Sequence, residues 1–208
     1  MSFKFHYPII VYDLETTDDE DKDIIQIGAV ALDKELNYLD CFCDTVYTEK
    51  TLSDFVVNLT KITQESVNKS EFFRVIGEEF KEWAEKITGK SANGIRLAAW
   101  GSYFDAPLLR KHYTKFGIQY PFSGTTICVK SLAILWAALL GCRTDKISVE
   151  KCMEYIGEQP IGHYHNALHD ADATAKVFRR IVSDLSSGCF IDGKHLRVQY
   201  DENNEATT

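Results

Sequence analysis

Three short stretches of the chain place acids, and one histidine, at spacings that suit chemistry. Asp13-Leu14-Glu15 separates two carboxylates by one residue, followed by Thr16 and Thr17. In an extended chain that alternation puts both carboxylates on one face, about 7 Å apart along the backbone. Asp105 stands in Trp100-Gly-Ser-Tyr-Phe-Asp-Ala-Pro107, and Asp170 closes the run His165-Asn-Ala-Leu-His-Asp170. Four carboxylates brought together cannot all stay ionised unless something positive sits among them. Hard oxygen donors suit Mg²⁺ or Mn²⁺ rather than zinc. Two such ions, about 3.5–4 Å apart, stabilise the attacking and leaving oxygens of an in-line phosphoryl displacement. A neutral imidazole near the pair would be a fitting general base for the attacking water, because its pKa lies near working pH. The set would carry out metal-assisted hydrolysis of a phosphodiester. Taken singly, each piece has a plainer use: Asp-x-Glu as a solvated strand end, Asp105 as a helix N-cap, His165 as a loop or core histidine.

Whether these groups meet depends on the elements that carry them. Residues 7–13 form a short apolar run that reads as a buried strand, with 23–32 and 36–47 as second and third strands joined by short polar connections, an antiparallel meander. Thr63 caps a short helix through Val67, and Phe72, Phe73, Ile76, Phe80, Trp83 and Ile87 recur at helical spacing. Residues 96–100 read as a fourth strand, followed by a helix starting near Asp105-Ala-Pro107, where a first-turn proline loses no intrahelical bond. Residues 131–140 are apolar almost all round and stop at Gly141, which predicts a buried helix with a glycine C-cap. Asp170 opens a last long helix with Ala171, Ala175, Phe178, Val182 and Leu185 as its core stripe. This order predicts an α/β fold with a mixed sheet covered on both faces. Ligands of open α/β sheets gather beyond the carboxyl ends of the strands, where all three acid stretches fall.

The chain has 208 residues, 45% hydrophobic and 26% charged, enough for one α/β domain and too well mixed for a disordered or fibrous chain. No apolar run approaches the ~20 residues that cross a bilayer, and the N-terminus lacks a signal-peptide layout, so no membrane partner and a cytoplasmic location are expected. A net charge of -8, from 23 basic and 31 acidic residues, argues against holding long duplexes by phosphate neutralisation. The six cysteines are scattered, and Cys41-x-Cys43 lacks a second pair or a nearby His-x-x-x-His, so reduced thiols are expected rather than a zinc site.

Together these residues resemble the DEDD exonuclease superfamily, specifically its DEDDh (DnaQ-like) branch with the ribonuclease H-like fold. The family's first motif is Asp-x-Glu-Thr-Thr after a buried strand, here Asp13 to Thr17; its second places an Asp in a strand–helix corner, here Phe104-Asp105; its third, most often His-x-Ala-Leu-x-Asp, stands as His165 to Asp170. Leu59-Thr60-Lys61-Ile62-Thr63 matches a further family segment, and the resemblance covers about residues 7 to 185. It implies a five-stranded mixed sheet and 3′→5′ exonuclease activity on single-stranded DNA or RNA, releasing nucleoside 5′-monophosphates. Asp13, Glu15, Asp105 and Asp170 would hold two Mg²⁺ or Mn²⁺ ions, with His165 deprotonating the water. Leu14, Thr16 and Thr17 would contact the terminal nucleotide, and Leu59 would pack on the last base. The 3′ end of a single strand would be the binding partner.

Several choices stay open at this level. Where the family usually has Gly after Thr-Thr, this chain runs Asp18-Asp-Glu-Asp-Lys-Asp23, either a solvated connection or a device that repels bulky polyanions. His163 and His169 crowd His165; family spacing selects His165, with His163 the second choice. Phe104, Tyr103, Tyr113 and Tyr164 offer faces for base stacking or for packing, and Phe104 is taken as a substrate contact. Arg110, Lys111 and Lys115 either touch the backbone phosphates or form a solvated helix face. Residues 189–200 predict a C-terminal β-hairpin around Asp192-Gly193, an extension of the domain at 1–188 and a docking edge for a homodimer or protein partner; 201–208 predict a disordered tail. Two other activities compete: a nuclease confined to very short oligonucleotides, and a catalytically silent binding module on the same fold.

Overall fold

A computed structural model describes residues 5–89 and 95–187. The proposed hairpin at 189–200 and the tail at 201–208 lie outside the described residues. The chain opens with strands β1 (Ile9–Thr16), β2 (Ile24–Leu32) and β3 (Tyr38–Thr45), paired antiparallel in sequence order. Helices α1 (Asp54–Thr60), α2 (Gln64–Asn68) and α3 (Phe73–Thr88) follow. Strand β4 (Arg96–Ala99) then leads into α4 (Ser102–Lys115), and β5 (Ile127–Cys128) into α5 (Val129–Leu139). Helices α6 (Val149–Ile156) and α7 (Ala167–Ser186) complete the fold. The sheet order is β3-β2-β1-β4-β5, with β4 parallel to β1 and to β5. This is the mixed five-stranded sheet expected from the motifs.

Alternation along β1 divides the core. Ile10, Tyr12 and Leu14 pack with Phe73, Phe80, Leu109 and Tyr113 of α3 and α4 on one face. Ile9 and Val11 pack with Ala171, Ala175 and Phe178 of α7, and with α5 and α6, on the other. Asp13 and Glu15 continue the Ile9–Val11 series at period two, so they emerge where the α7 face of the sheet runs out. Burial on both faces explains why β2 is wholly buried and reads as a continuous apolar run.

The N-terminus of α7 sits directly on β2. A Cβ at Gly28 would stand 2.1 Å from the backbone carbon of Ala167, so only glycine admits the approach. Gln26 completes the joint by accepting a hydrogen bond from the Ala167 amide at 2.9 Å. Gly28 is the register partner of Asp13, and Gln26 of Glu15. The two residues that seat α7 are therefore those that sit beside the first two acids.

Local differences from the sequence reading have physical causes. Helix α4 begins at Ser102 rather than near Asp105; Gly101 is its N-cap, so Asp105 is a first-turn residue and not a cap, and Pro107 lies beyond the first turn. Helix α7 begins at Ala167 with the Asn166 side chain accepting from the His169 amide, so Asp170 lies within the helix and does not open it. Helix α5 buries one face through Val129, Ala133, Trp136 and Ala137 but exposes Ile134, Leu135 and Leu139, so its all-round apolarity does not mean full burial. Short elements α1, β5 and α6 escape periodicity because each is eight residues or fewer.

Gly28→Ala is expected to destabilise the protein by about 1–3 kcal/mol through overpacking against Ala167. The urea midpoint measures this; a variant as stable as the parent would contradict the close approach.

Candidate active site

Asp13 and Glu15 from β1, Asp105 from α4, and His165 and Asp170 from the entry to α7 line one cavity of about 400 Å³. Leu14, Trp100, Tyr103, Phe104, Lys130 and Glu150 complete most of its wall. Each chemical group arrives by a different route: a strand end, the first turn of a helix that follows a parallel strand, and the first turn of α7. Glu15 and Asp105 are buried at 8% and 6% exposure, low for groups that are charged in water.

Electrostatics follows from that crowding. Burial raises Glu15 to about 8, with Asp170 and Asp105 adding to the shift. Asp105 is pushed up to about 7 by burial. Asp13 lies well above the usual carboxylate range, first through burial and then through Asp105, Glu15 and Asp170. Burial raises Asp170 as well, opposed by the hydrogen bond it accepts from the His165 amide at 2.9 Å on Oδ2. Its other oxygen, Oδ1, is buried and has no hydrogen-bond partner. One ligand atom each from Glu15, His165 and Asp170 lies within 4.8 Å of the others. An unpartnered buried carboxylate oxygen amid mutually repelling acids is the arrangement a hard divalent cation satisfies.

The remaining expected residues are placed as follows. Leu14 and Phe104 line the cavity, whereas Thr16, Thr17 and Leu59 are not among its lining residues. Thr17 is buried and ties the loop that follows: its hydroxyl donates to Asp19 and accepts from the Asp23 amide at 2.9 Å. His163 and His169 also stand outside the cavity wall; His163 Nε2 lies 3.5 Å from the Thr60 carbonyl oxygen, and His169 Nδ1 lies 3.0 Å from the His163 carbonyl oxygen. His165 is the histidine brought to the acids.

The acidic segment 18–23 is neither a free solvated connection nor an unshielded repulsive wall. Lys50 pairs with Asp19, Lys111 with Asp21, and Lys115 with Asp23 at 3.1 Å. These contacts hold Asp19 and Asp21 below the ordinary carboxylate range. Asp23 is also low: burial opposes ionisation, but Thr48, Lys115 and Lys50 outweigh it. The cluster on α4 is thereby spent within the molecule, and Arg110 lies over the Tyr120 ring at 4.8 Å. Among the described residues, Lys130 is the one lysine or arginine on the cavity wall. Gln26, Gly28, Lys130 and Glu150 were not picked out from sequence; a glycine inside a β-strand was the one available signal.

An exonuclease family model, RNase_T, matches residues 10–178. The chain belongs to this exonuclease family. Its motifs at Asp13–Thr17, Phe104-Asp105 and His165–Asp170 are those of the DEDDh, DnaQ-like branch, whose members depend on divalent metal, and its solved neighbours share its ribonuclease H-like fold. It is 27% identical over 179 residues to the PolC-type DNA polymerase III of Caldanaerobacter subterraneus subsp. tengcongensis, covering 85% of this chain and 12% of the polymerase. It is 25% identical over 191 residues to the 3'-5' exonuclease DinG of Bacillus subtilis, covering 90% of this chain and 19% of DinG. The chain thus spans less than a fifth of either relative. The nuclease domain of 3'hExo, a DEDDh family member bound to rAMP, superposes with a TM-score of 0.72 at 24% identity, covering 89% of this chain and 95% of that one. No helix among the described residues is long and apolar enough to cross a membrane. The five described cysteines are free.

For the metal-free exonuclease the sign of the pH dependence is fixed by the raised acids. The folded state binds more protons than the unfolded one, so this stabilisation is full below about pH 4 and is lost as pH climbs through the folded values. Those values reach about 7 at Asp105 and about 8 at Glu15. The melting temperature in chelator is therefore expected to fall between pH 5 and 8 by about several degrees, with Asp105→Asn flattening the slope. A profile that rises over this interval would contradict the mutual burial.

Proposed function

We propose that this chain removes nucleotides one at a time from the 3′ end of single-stranded DNA or RNA, releasing nucleoside 5′-monophosphates. The observation that carries the reading is the convergence of Asp13, Glu15, Asp105, Asp170 and His165 on one cavity, with a buried Asp170 oxygen left unpartnered. Asp13, Glu15, Asp105 and Asp170 would hold two Mg²⁺ or Mn²⁺ ions. Bound there, the ions supply Lewis-acid stabilisation of the attacking and leaving oxygens.

The chain's own residues do the rest. His165 takes a proton from the attacking water at a ring nitrogen. The water oxygen bonds to phosphorus, the bond from phosphorus to the 3′ oxygen of the preceding nucleotide breaks, and that oxygen leaves to be protonated. Leu14 and Phe104, which line the cavity with the acids, give the terminal base and sugar an apolar wall. Thr16, Thr17 and Leu59 do not line the cavity, so the reading leans on Leu14 and Phe104. Lys130 is available to a substrate phosphate.

A second reading is favoured by one observation. The lysines of α4 are paired with the 18–23 acids, and among the described residues Lys130 is the one lysine or arginine at the cavity. So few phosphate contacts suit a nuclease for very short oligonucleotides.

The test is digestion of 5′-labelled DNA and RNA single strands from dimers to 20-mers, with Mg²⁺, Mn²⁺ or chelator. A metal-dependent ladder is expected, abolished in Asp170→Asn, with kcat lowered about 10²–10⁴-fold in His165→Ala at similar KM. Trimming confined to dimers and trimers supports the second reading, and no cleavage with any metal refutes both in favour of a binding module.

A further inference from the structure

Of the three histidines around Asp170, His169 has the most complete set of contacts and as yet no task. It precedes Asp170 in the first turn of α7, and its Nδ1 is 3.0 Å from the His163 carbonyl oxygen. Its ring stands edge-on to the His163 imidazole, centroids 5.4 Å apart. It also fills the space beside Gly162: a Cβ there would meet His169 Cε1 at 2.1 Å. The segment from Gly162 to His163 is thus laid across the His169 ring and hung from it by a hydrogen bond.

Two residues later the same segment presents His165 with φ of 64°, in the left-handed region that residues with a Cβ seldom adopt. Such a conformation persists only where its surroundings over-determine it. Here the far side is fixed by Asp170, whose Oδ2 accepts from the His165 amide at 2.9 Å. The near side is fixed by His169. Adjacent residues of one rigid helix therefore grip the turn at both ends, and the imidazole between them faces Glu15 and Asp170.

We propose that His169 is a positioning residue: by clasping Gly162–His163 onto α7, it sets the turn that holds His165 over the acids. The inference rests on the reading of His165 as the base. A hydrogen bond to a carbonyl needs a proton on Nδ1, and asparagine offers an amide donor on the same Cγ, whereas glutamine carries its amide one atom further out.

The test compares His169→Asn, His169→Gln, His169→Ala and Gly162→Ala in the full chain, by kinetics on a labelled single strand and by hydrogen exchange of the His165 amide in metal-free protein. Expected for Gln, Ala and Gly162→Ala are a kcat reduced by about 10²-fold at unchanged KM and faster exchange at His165. Expected for Asn is near-parental behaviour in both. In a His165→Ala background, His169→Ala should cost nothing further. If His165→Ala keeps the parental rate, the functional reading itself fails. If His165→Ala is impaired while His169→Ala keeps parental kcat and exchange, or if Asn is as impaired as Ala, the clasp is refuted and the functional reading stands. Gly162→Ala disturbs the same contact from the other side, so an unfolded His169→Ala does not spare the proposal.

Discussion

Taking a carboxylate out of water costs several kcal/mol unless something repays it, and this fold does so at one place with four of them. Burial comes first among the causes that raise Asp13, Glu15, Asp105 and Asp170, and at Asp13 and Glu15 the neighbouring acids add to it. Elsewhere the molecule handles its excess acid differently. In the 18–23 segment, Lys50 and the α4 lysines Lys111 and Lys115 pair with Asp19, Asp21 and Asp23. The contrast separates acids paired with lysines from acids buried without an ion pair among the described residues.

Holding that cluster together demands tight backbone packing. The carboxyl end of β1 and the first turn of α7 carry three of the acids, and they can meet only because Gly28 lets the helix backbone reach the sheet. Gln26 then satisfies an amide at the helix start that has no intrahelical acceptor. Asp105 enters from the opposite side at the head of α4, after a β4 strand parallel to β1. Apolar packing on both faces of the sheet makes the arrangement rigid, so the crowding cannot relax by letting the acids drift apart.

Much of this was legible in the chain itself. Period-two alternation put Asp13 and Glu15 on one face of an extended strand, and the family spacing to Asp170 singled out one histidine of three. The meander and the long helices followed from hydrophobic period. What escaped were features set by tertiary contact. Helix α4 starts three residues earlier than expected because Gly101 rather than Asp105 serves as its cap. The burial of α5 is one-sided, since local sequence does not state how many neighbours a helix will have. Lys50, distant in sequence from the 18–23 acids, could not be paired with them from spacing, nor could Gln26 be matched to Ala167.

Among the described residues these four acids have no lysine or arginine ion pair, and the proposed function rests on divalent ions sitting among them. Anomalous scattering from crystals equilibrated with Mn²⁺, collected at the manganese edge, tests it most directly. Two peaks bounded by Asp13, Glu15, Asp105 and Asp170 are the expected result. Manganese absent from that cavity, with the acids unchanged in position, would contradict it.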